Sequence, residues 1–145
     1  MFTLSDTNID PAALGWAMAQ PRAGALATFE GWVRNLHEAH AVSRLTYEAY
    51  GPLAIKEGNR ILAAVKAAHD VLDAQCVHRI GSLEVGEIAI WVGVTAEHRG
   101  PALATCQQII DEIKHSVPIW KKEFYSDGSM AWVNCAHEAK AAGRL

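Results

Sequence analysis

Apolar positions recur along this chain with two spacings, and the alternation between them predicts the order of its elements. Over residues 24–33 the period is two. Ala25, Ala27, Phe29, Gly31 and Val33 share one face and Thr28, Glu30, Trp32 and Arg34 the other, as in a strand. Residues 42–50, rich in β-branched and aromatic side chains, predict a second strand after a polar loop over 35–40. Ahead of both, Asp10 is placed to cap a short helix over 11–18 that Pro11 starts.

From Pro52 the period becomes helical. Ile55, Gly58, Ile61, Leu62, Val65, Ala68 and Leu72 form one stripe, predicting a long helix over 52–72. Residues 76–80 predict a third strand, ended by Gly81. Residues 87–95 predict a fourth, whose centre from Ile88 to Val94 is almost continuously apolar, as in a strand buried on both faces. Pro101 suits the first position of a helix running to Ser116, with Leu103, Cys106, Ile109, Ile110, Ile113 and Val117 as its stripe. Two last strands, 119–125 and 130–134, flank an Asp127-Gly128 turn. The order ββαββαββ after a short helix predicts one α+β domain spanning 1–145, with two main helices on a mostly antiparallel sheet. After about residue 135 the chain is Ala-rich, charged and unpatterned, as in a mobile or helical tail.

Composition narrows the function. The 145 residues are 50% apolar and 20% charged, enough for a core, and the net charge of −3 argues against a general nucleic-acid binder. The first residues lack a basic start followed by an apolar core, and no run approaches the roughly 18 apolar residues of a membrane span. Cys76, Cys106 and Cys135 are far apart and form no CxxC, so neither a disulfide framework nor a zinc ribbon is expected. A reducing cytoplasm is the expected compartment. His37-x-x-His40 lacks supporting ligands at useful spacing, and no metal site is expected.

Three basic groups carry the candidate chemistry. His98-Arg99 stands before a helix, where free N–H groups and the positive dipole end suit an anion; a solvated loop is the alternative. Lys114 lies about 40° from Ile110 around its helix, at the edge of the apolar stripe. It is either a snorkelling lysine or an active one. Lys121 and Lys122 fall on opposite faces of a strand, so at most one of them points into a given pocket. Arg34 ends the first predicted strand.

Taken in order, short segments then resemble a known family. They are Gly24-Ala25 with Phe29-x-Gly31-x-Val33-Arg34-Asn35, Leu45-x-Tyr47-Glu48-Ala49-Tyr50, His78-Arg79-Ile80-Gly81, Val92-Gly93-Val94, His98-Arg99, Asp111-x-x-Lys114 and Val117-Pro118-Ile119-Trp120-Lys121-Lys122-Glu123. The series, spanning roughly 24–134, is similar to the large subunit of molybdopterin synthase. The 35–41 loop lacks the glycine often found there in that family.

The resemblance implies an α/β hammerhead fold with a small β-hairpin subdomain, and a homodimer of large subunits. It implies a small ubiquitin-like partner on each, forming a heterotetramer, whose C-terminal Gly-Gly thiocarboxylate threads into a pocket. The reaction implied is sulfur transfer to cyclic pyranopterin monophosphate, making molybdopterin for the molybdenum cofactor, with no cofactor of the enzyme's own. Lys114 and Lys121 match catalytic positions. Arg34, His98 and Arg99 match substrate-binding ones, with Trp32, Val33, Lys122 and Glu123 beside them. An ordinary lysine titrates near 10.4, so each begins as an acid or a point charge. A non-catalytic α+β module binding an anionic metabolite is the alternative, and a structural subunit without ligand a third.

Overall fold

A computed structural model describes residues 1–134; Cys135 and the tail expected beyond it lie outside the described residues. The elements run β1 (Phe2–Ser5), α1 (Pro11–Ala17), β2 (Ala25–Trp32), β3 (Leu36–His37), β4 (His40–Ala49) and α2 (Gly51–Ala68). After them come β5 (Asp73–Arg79), β6 (Gly81–Glu84), β7 (Ile88–Ala96), α3 (Arg99–Ser116), β8 (Ile119–Tyr125) and β9 (Met130–Asn134). Two sheets form. One has the order β1-β5-β7-β2, and the other the order β3-β4-β8-β9 with β6 paired to β4. Neighbours are antiparallel except for β1 on β5, so the predicted α+β class holds with one parallel pair.

The first sheet and two helices hold the core. β7 lies between β5 and β2, and Ala89 through Ala96 are all buried, as their unbroken apolar run predicts. α3 packs on β7 and β2, and α2 packs on β1 and β5. On the opposite face Trp91 is 1% exposed beside Met18. Gly93 makes the room: a Cβ there would stand 2.2 Å from the Trp91 ring. At about 25 cal/mol per Å² for an aromatic burying 150–250 Å², this indole contributes on the order of 4 kcal/mol. α1 sits over this face, with Asp10 Oδ1 accepting from the Ala13 amide at 3.1 Å and Pro11 opening the helix, the predicted cap.

Three strands escape the sequence reading. β1 hides in four N-terminal residues, and it is a strand because β5 supplies its partner, Phe2 facing Cys76. β3 has only two residues. β6 follows Gly81, whose φ of +90° ends β5 as predicted and turns the chain onto β4 of the second sheet. α2 ends at Ala68 rather than at Leu72, because the Leu72 amide already bonds to the Thr95 carbonyl beside the sheet. Leu103, placed on the α3 stripe by its spacing, is 61% exposed; Ala102 and Thr105 are buried instead.

Candidate functional site

The two sheets and the end of α3 enclose a cleft of about 430 Å³. Each wall has a local cause. β2 runs antiparallel to β7 until a register shift between Gly31 and Trp32 bends its end, as a bulge does, and carries Trp32, Val33 and Arg34 to the rim. Gly31 keeps the strands close there, since a Cβ would stand 2.8 Å from the Ile90 side chain. Val33 is buried and pinned through its backbone, its amide bonding to the Glu87 carbonyl at 3.0 Å. β4 contributes Leu45 and Tyr47, β5 contributes His78, and β8 contributes Lys121 and Glu123.

Lys114 enters from the last turn of α3, half-buried next to Ile113. A cation suits that end of a helix, where unpaired carbonyls concentrate negative charge. Arg34, Lys114 and Lys121, distant in sequence, therefore border one hollow from three elements. The carboxylate of Glu123 is buried, with His37 Nδ1 at 2.5 Å from its Oε1 and the Tyr125 hydroxyl donating to the same oxygen at 3.4 Å. Glu30 is engaged by Trp32 Nε1, which donates at 3.0 Å. A hollow with three cations and anchored carboxylates suits a ligand that is anionic at one end and polar elsewhere.

Strand alternation sorts the two adjacent lysines. Lys121 borders the cleft, while Lys122 turns to the other face of β8, its Nζ 5.4 Å from the Phe124 ring centre and 5.5 Å from that of Trp132. Lys122, which the resemblance put beside the substrate-binding positions, is thus absent from the cleft lining. His98 and Arg99 are absent too. They open α3 whereas Lys114 closes it; fifteen residues at 1.5 Å each separate Arg99 from Lys114 by about 22 Å. Both are exposed, and His98 makes no side-chain cap bond. One chain cannot bring them to the cleft that Lys114 borders.

Tyr47, His78 and His37 border the cleft without having been assigned a site role. The signal for His78 was available: a histidine two residues after Cys76, on the same face of a strand whose neighbours are apolar. His78 is buried, and burial pushes its pKa down to about 4, with the nearby Lys114 charge acting the same way against a bond to the Arg79 carbonyl. The pair flagged as a weak metal motif has other work: His37 faces Glu123, and His40 lies against Tyr125 with ring centres 5.1 Å apart. Among the described residues, no three His, Cys, Asp or Glu side chains group as metal ligands.

A fold of this kind with a basic cleft between its sheets defines a family when matched as a whole. The family model described as MoaE protein matches residues 4–116, and the chain belongs to that family. A molybdopterin synthase catalytic subunit from Oryza sativa subsp. indica is 45% identical over 108 residues, which is 74% of this chain. The chain spans little more than half of that relative's length, 56%. A crystal structure of molybdopterin synthase from Staphylococcus aureus superposes with a TM-score of 0.84 at 31% identity, covering 90% of this chain and 94% of that one. The complex of subunits 1 and 2 of molybdopterin-converting factor from Helicobacter pylori contains a chain of the same fold, with a TM-score of 0.74 at 20% identity. It covers 91% of this chain and 89% of its own.

Proposed function

We propose that this chain is the catalytic subunit of a molybdopterin synthase, a sulfurtransferase converting cyclic pyranopterin monophosphate to molybdopterin. The observation that carries the reading is the convergence of Arg34, Lys114 and Lys121 on one cleft in a member of the MoaE family. Arg34, exposed at the rim, suits the phosphate through charge-assisted hydrogen bonds. Lys114 and Lys121, set deeper, act at the reacting carbons as proton donor and electrostatic stabiliser.

Sulfur arrives on a second molecule. The favoured donor is a small ubiquitin-like subunit whose Gly-Gly thiocarboxylate tail enters the cleft; the Helicobacter pylori neighbour is itself a two-subunit complex. The proposed assembly is a homodimer of this chain with one carrier on each copy, in the cytoplasm. Trp16 at 83% and Leu26 at 46% exposure offer an apolar face for the second copy. Since His98 and Arg99 cannot reach the cleft of their own chain, a role for them on the substrate requires that copy to deliver them.

The test supplies the cyclic pterin phosphate and a thiocarboxylated carrier and reads dithiolene product. Turnover is expected only with the carrier present. Tight pterin-phosphate binding without turnover would replace this reading with a non-catalytic metabolite-binding module.

A further inference from the structure

The cleft contains a titratable side chain that the chemistry above leaves unused. His78 lies on β5 between β1 and β7, facing Leu4 on one side and Ile90 on the other in the strand register. Tyr47 meets its ring edge-on, with centres 4.9 Å apart and planes at 85°, which fixes the plane of the imidazole. Its Nδ1 is 2.7 Å from the Arg79 carbonyl oxygen. A carbonyl oxygen only accepts, so Nδ1 carries a proton. A neutral ring protonated at Nδ1 has its lone pair at Nε2, the one polar atom left for the cleft that the ring borders.

Lys114 borders the same cleft and acts electrostatically on His78. An ammonium has three donors and no acceptor, and Nε2 is an acceptor without a donor. We propose that His78 is a positioning residue of the cleft: its Nε2 accepts a hydrogen bond from the Lys114 ammonium and aims it at the reacting carbons. A neutral acceptor suits this place. A carboxylate would cancel the cation and repel an anionic substrate, whereas an imidazole directs the ammonium and leaves its charge intact. The titratable groups facing His78 are Lys114 from α3 and Tyr47 from β4. Across the cleft stand Lys121 and Glu123 from β8, with Arg34, His37 and, at the rim, Glu30. Burial and the nearby ammonium both favour the neutral ring. The pairing is independent of the proposed reaction; only the target of the ammonium rests on that reading.

Two measurements separate the claims. In the ¹⁵N-labelled full chain, long-range ¹H–¹⁵N correlations are expected to show His78 with Nδ1 protonated and Nε2 bare between roughly pH 8 and pH 5. The Nε2 signal is expected to move in Lys114→Ala. With thiocarboxylated carrier, His78→Gln, which keeps an acceptor near the Nε2 position, is expected to hold kcat within about threefold. His78→Leu is expected to lose about tenfold or more in kcat per folded molecule with KM little changed. A proton on Nε2, an Nε2 signal indifferent to Lys114→Ala, or wild-type kcat in His78→Leu would each overturn the proposal. If wild-type protein makes no dithiolene product at all, the synthase reading falls, and the spectra alone decide the His78–Lys114 pairing.

Discussion

Two hollows open on opposite faces of the first sheet, and they differ in kind. The groove under α1 is the larger, about 680 Å³ against about 430 Å³ for the cleft. Its wall is made by Trp16, Met18, Leu26 and Trp91, and Glu30 is its single charged lining residue. The cleft gathers Arg34, Lys114, Lys121 and Glu123 from three stretches of chain. Size would choose the groove, but chemistry chooses the cleft. Bringing three like charges together opposes folding, and such an arrangement is explained by an anionic ligand that repays the repulsion on binding. The groove costs nothing comparable and fits the face proposed above for the second copy.

The sharpest break of this contrast comes from the lysines. Lys114→Ala and Lys121→Ala are each expected to lower kcat about 100-fold or more, as removal of a charge acting at a transition state does. Neither side chain fills the core, so circular dichroism and the unfolding midpoint are expected to stay close to wild type. Wild-type turnover in both would move the chemistry out of the cleft. Arg34→Ala, at the rim, is expected to act on binding. The loss of a charged hydrogen bond, roughly 1.5–3 kcal/mol, corresponds to roughly 10- to 150-fold in affinity. It is expected in KM, measured by titration and steady-state rates, and an unchanged KM would remove Arg34 from phosphate binding.

Much of this was readable in advance, because the deciding signals are local. The apolar run of β7, the helical spacing from Gly58 to Val65 and the Asp127-Gly128 turn each fix an element without help from afar. Alternation alone separates Lys121 from Lys122. What was not readable depends on partners distant in sequence. β1 is four residues until β5 pairs with it, and β6 is a loop until β4 does. The 35–41 loop lacks the usual glycine yet turns tightly, with Glu38 and Ala39 at φ of +48° and +66° between the paired His37 and His40. Left-handed backbone disfavours both residues by roughly 1–2 kcal/mol each, and the β3–β4 pairing and the His37–Glu123 contact oppose that strain. The distance from Arg99 to Lys114, by contrast, needed only the length of a helix.

Acid sharpens the contrast in stability. The His78 pKa is lowered to about 4 from its ordinary 6.5. Between those values the unfolded chain binds a proton that the folded chain excludes, so stability rises with pH there. The His78 contribution is present above about pH 6.5 and is lost as pH falls toward 4. A shift of this size amounts to about 3 kcal/mol at most. Urea unfolding at pH 7 and pH 4.5 is expected to show the loss, and His78→Gln, which does not titrate, is expected to lose less. Equal slopes in the two proteins would mean that His78 is protonated in the fold.

The smallest expected effect is on neither hollow. The proposed sulfur transfer invites the guess that a cysteine of this chain carries the sulfur, and that route needs a thiolate. Neither described cysteine suits it. Cys76 is fully buried on β5, and burial pushes its thiol well up. Cys106 sits on the buried stripe of α3 with Ile109 and Ile110, its pKa pushed up to about 11 by the same cause. Neither lines the cleft or the groove. With sulfur delivered as the proposed thiocarboxylate, the chain needs no thiol, and a variant with alanine at Cys76, Cys106 and Cys135 is expected to turn over near the wild-type rate per folded molecule. Stability is the property expected to change. Each buried sulfur removed leaves a small void, on the order of 1 kcal/mol apiece, read as a lower unfolding midpoint. A loss of about 100-fold in kcat traced to one cysteine, with that midpoint little moved, would place sulfur on this chain and transfer the chemistry from the basic cleft to the core behind it.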